Sequence, residues 1–225
     1  MFTGYRDETL DFMWGIRLNN DRSWFMEHKE EYLQHLYQPT MDLGREVYDR
    51  FTEKFPDIKV NLHVSRIYRD ARRLHGRGPY KDHLWFSLRP ENDLWASRPV
   101  FWFEIEPEGW SSGVGFWNAT PAMMAAMRRD MAEHPQRLGE LARRLEAQDV
   151  FRLQGQMYAR PKTGGPAELA EWYNRKNISI GREGPFDDLV CSRELVDVLL
   201  EGFAFLVPYY DYFSSFCGGG LEDLK

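Results

Sequence analysis

The spacing of apolar residues changes twice along this chain, and this change restricts the fold more than any other feature of the sequence. Apolar side chains recur every three or four positions in the first quarter, as on one face of a helix. Between residues 60 and 117 they alternate with polar ones, as in strands, and the helical spacing returns at Thr120. The pattern predicts an α+β fold, with one mainly antiparallel sheet of four or more strands and helices from both ends of the chain packed on it. The predicted strands are 60–70, 84–88, 99–106 and 110–117.

Polar and proline signals predict where the helices begin and end. Asn19 and Asn20 end the first helix, and either Asp21 or Ser23 can cap the second. Thr120 followed by proline is typical of a helix start. Further helices are expected over 39–55, from 135, over 166–173 and over 193–207, and further strands over 151–158 and 178–181.

The length and composition favour one ordered domain. The chain has 225 residues, of which 43% are hydrophobic and 15% aromatic, which is enough for a sizeable core. Because no repeat or linker divides it, we expect a single α+β domain over residues 1–217. A flexible tail is expected over residues 218–225, where three glycines stand together.

The cysteines and the N-terminal sequence favour a cytoplasmic protein. Cys191 and Cys217 belong to no cysteine framework, so we predict free thiols rather than a disulfide. The N-terminal residues are acidic where a signal peptide would be basic and then apolar. No stretch is apolar and long enough to span a membrane, so we expect no membrane partner. The oligomeric state stays open.

The most unusual chemistry lies in residues 66–81, which carry five arginines and one lysine around a glycine-rich turn. Arginine presents a planar fork of donors that suits phosphate or carboxylate, and a glycine-rich loop lets backbone N–H groups approach an anion. The segment therefore predicts binding or turnover of a small anionic ligand, with Asp70 as a catalytic base or as the group that orients an arginine. The candidate ligand-binding residues are Arg66, Tyr68, Arg69, Arg72, Tyr80 and Lys81.

Strand alternation predicts how this segment is oriented. An unbroken strand over residues 60–70 with Val64 in the core directs Arg66, Tyr68 and Asp70 to the core side as well. Arg69 then lies on the opposite face, where neighbouring strands would supply an aromatic floor edged by cations. The predicted members of that floor are Trp85, Arg89, Trp102 and Trp117.

Other interpretations of the same residues stay open. Arg66 and Asp70 could form a buried structural ion pair, and the tryptophans could be ordinary core. An exposed aromatic surface could instead bind a protein without catalysis, and stacked tryptophans could bind single-stranded nucleic acid. The net charge of −6 disfavours nucleic acid as a partner, because its phosphates attract basic surfaces.

The remaining motifs are weak. Glu104 and Glu106 fall on one face of a predicted strand and could act as paired carboxylates. The histidines are scattered, and the sequence contains no glycine-rich nucleotide-binding motif and no nucleophile elbow. We therefore predict neither a metal nor a cofactor.

Several motifs that span nearly the whole chain point to one family. Leu-Asn-Asn-Asp-Arg-Ser-Trp-Phe stands at residues 18–25, Arg-Ile-Tyr-Arg-Asp at 66–70 and Pro-Tyr-Lys at 79–81. In these motifs the chain resembles an uncharacterised family of bacterial and fungal proteins, domain-of-unknown-function family 2461. Further similar positions are 113–117, Pro121, Arg128, Lys176 and 208–210.

The resemblance implies one full-length α+β domain. The loop at residues 72–78 departs from the family pattern, which commonly has Arg-Phe-Ser and then a lysine there. The family brings no established activity, so function must be argued from the site itself.

Overall fold

The structure is a computed structural model, and it describes residues 1–70, 72, 78–91 and 95–217. Within these residues, six strands form one antiparallel sheet, in the order β1-β2-β3-β4-β6-β5. The predicted α+β class is therefore confirmed. The strands are β1 (Asn61–Val64), β2 (Leu84–Arg89), β3 (Pro99–Glu106), β4 (Gly109–Phe116), β5 (Arg152–Gln154) and β6 (Ser179–Gly184).

Helices precede the sheet in the chain, and a cap fixes the start of the second. Of the two capping residues predicted, Asp21 is the cap, because its Oδ1 accepts a hydrogen bond of 3.0 Å from Trp24 N. A π-helical segment, Tyr32–Tyr37, leads into the fourth helix. The bounds are α1 (Asp7–Leu18), α2 (Arg22–Glu27), α3 (Lys29–Glu31) and α4 (Gln38–Lys54).

Helices also follow β4 in the chain. Thr120 caps the first of them through a 3.2 Å bond from Met123 N to its Oγ1, and Pro121 is the first helical residue, as predicted. Short 3₁₀ turns lie at Trp95–Ser97 and Ala167–Leu169. The bounds are α5 (Pro121–Glu133), α6 (Pro135–Glu146), α7 (Ala170–Tyr173) and α8 (Glu194–Ser214).

Helix α8 continues past Pro208, whereas the sequence predicted its end at residue 207. Tyr209 and Phe213 lie beyond the proline and are fully buried. Burial of such large aromatic rings outweighs the backbone hydrogen bond that a proline inside a helix removes.

The first strand is shorter than predicted. β1 ends at Val64, and within the described residues an isolated bridge between Tyr68 and Tyr80 follows it. The side chain of Ile67 is buried, whereas those of Arg66 and Tyr68 are exposed.

The prediction that Arg66, Tyr68 and Asp70 face the core is therefore wrong. Asp70 is exposed as well, so no buried ion pair with Arg66 forms there. The alternation of an unbroken strand does not hold, because regular pairing stops at Val64.

Packing divides the chain into two compact units. The first unit comprises Met1–Leu88, Trp102–Ser112 and Glu183–Glu201, and the second comprises Arg89–Phe101, Gly113–Arg182 and Gly202–Lys225. The expectation of one domain over residues 1–217 stays a prediction. The predicted tail, residues 218–225, lies outside the described part of the chain.

Each unit has an aromatic core. In the first, the ring of Phe103 lies 5.4 Å from that of Phe86 and 6.4 Å from that of Tyr5. In the second, the ring of Phe101 lies 4.9 Å from that of Tyr210 and 5.2 Å from that of Phe203. Such rings dominate the apolar area that each unit buries.

Two further features concern the helices and the cysteines. No helix in the described residues combines the length and the apolar character that crossing a bilayer requires. Cys191 and Cys217 are free thiols, and partial burial raises the pKa of both.

Candidate ligand site on the open face of the sheet

One face of β2 and β3 in the first unit is only partly covered. Phe86, Phe103 and Ile105 are fully buried on the core side. Trp85, Trp102, Glu104 and Glu106 alternate with them in sequence and are half-buried, so they lie on the opposite side. We call this side, with Lys81 and His83, the open face. The predicted placement of Trp85 and Trp102 opposite the core is confirmed.

The other two residues of the predicted aromatic floor belong to the second unit. There the guanidinium of Arg89 lies 4.1 Å from the ring centre of Trp95, within cation–π distance. Trp117 is 57% exposed, and its ring lies 6.5 Å from that of Trp95.

A bulge precedes β2 and brings polar residues to the open face. Ser65 N donates to Trp85 O at 2.8 Å, and Lys81 N donates to Ile67 O at 2.7 Å. Between these two bonds, the single residue Arg66 lies opposite the three residues 82–84. The two extra residues form a bulge. Bulges change the direction of nearby side chains and are frequent beside functional sites.

Asp82 stands in this bulge, accepts a hydrogen bond from Arg17 and forms an ion pair with Arg69. Its Oδ2 lies 2.5 Å from Nε of Arg17, and its Oδ1 lies 3.5 Å from Nη2 of Arg69. His83 Nδ1 lies 2.9 Å from the same Oδ1. The hydrogen bond with His83, followed by that with Arg17, holds the pKa of Asp82 far below its usual range, so this carboxylate is ionised.

Arg17 joins the end of α1 to the sheet. Besides Asp82, its guanidinium donates two bonds to the carboxylate of Glu108, one of them 2.9 Å long. The hydrogen bond to Glu108 raises the pKa of Arg17 and lowers that of Glu108. Bidentate pairing of this kind fixes the relative orientation of the two side chains in addition to bringing their opposite charges together.

The other ring nitrogen of His83 reaches the neighbouring strand. Nε2 lies 3.4 Å from Oε1 of Glu104, so the imidazole stands between two carboxylates. Burial raises the pKa of Glu104, and the charge of Glu106 raises it further. Among the residues that the structure describes, no group of three His, Cys, Asp or Glu side chains is arranged to hold a metal ion.

Among the cations of the predicted site, Lys81 is the one whose pKa is strongly lowered. Its Nζ lies 5.7 Å from the ring centre of Trp85, and it forms no ion pair with a carboxylate of the described residues. Burial, and then the charges of Arg69 and Arg66, lower the pKa of Lys81 to about 8, although Glu104 acts in the opposite direction. Arg66 and Arg69 therefore lie near enough to repel this ammonium group.

The two tyrosines of the predicted site differ in exposure. Tyr80 is 4% exposed, and its ring stacks on that of Phe25 at 4.2 Å. Tyr68 is 57% exposed, and its ring lies 5.4 Å from that of Tyr80. Of the two, only Tyr68 therefore presents much of its surface to a ligand.

Asn20 clamps the backbone beside Lys81. Its Oδ1 accepts from Tyr80 N and its Nδ2 donates to Tyr80 O, both at 2.9 Å. Arg69 Nε donates to the same carbonyl at 2.7 Å. These bonds connect the motif at residues 18–25 with those at 66–70 and 79–81.

Asp70 and Arg72 pair with each other at the surface. The guanidinium of Arg72 donates to both carboxylate oxygens of Asp70, at 3.0 and 2.8 Å, and its side chain is 87% exposed. The carboxylate that contacts Arg69 is therefore that of Asp82 and not that of Asp70. Arg73 and Arg77, the other two arginines of the predicted segment, lie outside the described residues.

The sequence predicted four residues of this region, namely Arg66, Arg69, Lys81 and Glu104. It did not predict three residues that contact them or one another. Asp82 and His83 follow Lys81 directly, and the alternation that places Trp85 on the open face also places His83 there. Arg17 left no such signal, because 65 residues separate it from Asp82.

A family model described as a conserved hypothetical protein (DUF2461) matches residues 8–212. The match covers most of the chain and includes the clamp and the open face. The protein therefore belongs to this family. Comparison with curated proteins finds no match.

Proposed function

We propose that the protein binds a small ligand through a phosphate or carboxylate group, on the open face and between Arg66, Arg69 and Lys81. The position of Lys81 carries this proposal. It is a half-buried ammonium group without a carboxylate partner among the described residues, and two arginines repel it. An anion among these three cations would remove the repulsion and replace the water lost on burial.

The three cations would have different roles. Arg66 is exposed and forms no ion pair with the described residues, so its whole guanidinium is available to a ligand. Arg69 is held by Tyr80 O and Asp82, which orients it in advance. Lys81 can gain a proton as the anion arrives.

The rest of the open face suits the body of the ligand. Trp85 and Trp102 provide an apolar floor, and Glu104 with His83 can transfer a proton, because burial raises the pKa of Glu104. If the ligand is turned over, this pair would be the acid and base. The earlier assignment of that role to Asp70 stays a prediction, and the pairing of Asp70 with Arg72 favours Glu104 and His83 instead.

Thermal unfolding with added anions tests binding. Inorganic phosphate, glycerol phosphate, acetate and succinate would each be compared with chloride at equal ionic strength. We expect at least one anion to raise the midpoint of the parent, because a ligand that binds only the native state stabilises it. Lys81→Met should lose this effect, whereas Lys29→Met, at an exposed lysine of α3, should keep it.

Calorimetry then tests the role of the lysine. With a pKa of about 8, Lys81 is near half protonation at pH 8, so binding should take up about half a proton. The measured enthalpy should therefore depend on the buffer's ionisation enthalpy in the parent, and no longer in Lys81→Met. If no anion stabilises the parent, or if Lys81→Met binds as the parent does, the proposal is wrong. Stabilisation by single-stranded DNA or by a protein partner alone would favour the alternatives.

A further inference from the structure

A second group of cations lies in the second unit, around the ring of Tyr158. The Nζ atoms of Lys162 and Lys176 lie 4.5 and 5.7 Å from its centre, and the guanidinium carbon of Arg128 lies at 5.6 Å. We call these four residues the Tyr158 cluster. None of them belongs to the open face.

Backbone bonds build this cluster from separate segments. Tyr158 N donates to Asn174 O at 2.9 Å, and Lys162 N donates to the Oδ1 of the same asparagine at 2.6 Å. Lys176 N donates to Gln156 O at 2.7 Å. Two chain segments are thus tied together, so the positions of both lysine backbones are fixed relative to the ring.

Helix α5 supplies the third cation. Nη1 of Arg128 lies 3.5 Å from Arg175 O, which directs the guanidinium toward the same two segments. Arg128 and Lys162 also line an open groove that contains Arg129, Thr163 and Glu133. The groove gives a ligand access to Arg128 and Lys162.

The cluster places three positive charges near one another, and the groove beside it holds one carboxylate, that of Glu133. Within the described residues, Arg128, Lys162 and Lys176 form no ion pair with a carboxylate. Since all three heads lie within 6 Å of one ring centre, their separations are comparable with the ~8 Å screening length at physiological ionic strength. They repel one another, although the net charge of the chain is −6.

We propose that the Tyr158 cluster binds a diphosphate group. Three cations around one tyrosine ring carry more positive charge than a single carboxylate balances, and they suit a group with several negative charges. Lysine ammonium and arginine guanidinium groups are the usual partners of phosphate oxygens, and the Thr163 hydroxyl beside them can donate a hydrogen bond. The binding group is the same in free pyrophosphate and in a diphosphate ester, so both serve as probes.

The test is titration calorimetry of the whole protein with inorganic pyrophosphate and, in a second arm, with a nucleoside diphosphate. Ionic strength is held constant with chloride. We expect the parent to bind at least one probe, and Arg128→Gln or Lys176→Gln to weaken binding by about tenfold, because each removes a charged partner of a phosphate. Arg128→Lys, which keeps the charge, should lose less than Arg128→Gln.

Two controls separate this site from the open face. Lys29→Gln, an exposed lysine of the first unit, should bind pyrophosphate as the parent does. In a Lys81→Met background, which removes a cation of the open face, Arg128→Gln and Lys176→Gln should still weaken pyrophosphate binding, so the two sites are tested separately. Circular dichroism would check that each variant is folded. The proposal is overturned if the parent binds neither probe, or if Arg128→Gln and Lys176→Gln both bind as tightly as the parent.

Discussion

The Nε2 atom of His83, the residue before β2, lies 3.4 Å from Oε1 of Glu104 on β3. Its other ring nitrogen contacts Asp82, which in turn accepts from Arg17. A row of alternating acidic and basic groups thus connects the end of α1 with the open face. Glu104 also lies close enough to Lys81 to raise the pKa of that lysine, so removing Glu104 should move it.

Replacing Glu104 tests this coupling. Glu104→Gln removes the carboxylate that favours the ammonium form of Lys81, so the pKa of Lys81 should fall below about 8. NMR titration of the Lys81 side chain would measure it. Glu53→Gln, on the exposed side of α4, should leave that pKa where it is, and an upward shift in Glu104→Gln would contradict the assignment.

The same substitution should change how stability depends on pH. A carboxyl group whose pKa is higher in the folded than in the unfolded protein binds more protons when folded. Its contribution to the unfolding free energy therefore falls as pH rises from the unfolded value of 4.5 through the folded pKa. Urea unfolding of Glu104→Gln across this range should lack that fall. A parallel decline in both proteins would show that Glu104 is not the group responsible.

Lys81→Met should make the protein more stable at neutral pH. The pKa of Lys81 is about 8 when folded and 10.5 when unfolded, so the unfolded chain binds the extra proton between these values. The stability of the parent should rise with pH through this window, and the variant should lack the rise. The full shift is worth roughly 3 kcal/mol, and partial solvent contact reduces the expected gain to ~1–2 kcal/mol.

Denaturant unfolding at several pH values from 7 to 10.5 measures this difference. The unfolding free energy of Lys81→Met should exceed that of the parent by most below pH 8, and the difference should shrink toward pH 10.5. Lys29→Met is the matched control and should show no such trend. If the stability difference between Lys81→Met and the parent grew with pH, the prediction would be wrong.

Arg69→Ala should lower the stability of the protein, whereas Lys81→Met should raise it. Its side chain is 18% exposed and donates to Tyr80 O and toward Asp82, so truncation leaves a carbonyl and a carboxylate with fewer partners. We expect a loss of ~1–3 kcal/mol in urea unfolding. Arg72→Ala is the control and should cost nothing measurable, because the Arg72–Asp70 pair is exposed. A gain in Arg69→Ala would mean that its repulsion of Lys81 outweighs its bonds.

The middle of the sheet could be predicted from the sequence because burial in a strand alternates. β3 has the predicted bounds, and β2 and β4 differ from the prediction by a residue at one or both ends. The pattern failed where the backbone departs from regular pairing. The bulge at residues 82–84 inserts two residues that no local composition marks, and regular pairing of the first strand ends at Val64, before Arg66.

The candidate site was predictable only where its residues are local in sequence. Arg66, Arg69 and Lys81 fall in one cationic segment and could be found from composition. Arg17 could not, since its contact with Asp82 depends on how α1 packs, which the pattern of one segment does not encode. In the same way, helix α8 passes Pro208 because tertiary burial overrides a local signal.

The clamp between Asn20 and Tyr80 allows a double-mutant test of the connection between the two motifs. A Cβ at Gly78 would lie 2.1 Å from Asn20 Oδ1, so Gly78→Ala must displace that side chain and break its bonds. Asn20→Ala removes both bonds to Tyr80 directly. Each substitution should cost ~1–3 kcal/mol of unfolding free energy.

Because both substitutions break the same clamp, their costs should not add. Once Asn20 is alanine, the atom that blocks residue 78 is gone, so the double variant should be at least ~0.5 kcal/mol more stable than the sum predicts. Gly139→Ala provides the matched control, since a Cβ there meets nothing within 4 Å. It lies in α6, where alanine favours the helix, so it should be neutral or stabilising and additive with Asn20→Ala. Urea unfolding of the four proteins in each cycle gives both coupling energies. Additive costs for Asn20 and Gly78 would mean that the clamp does not hold residues 78–80 in solution.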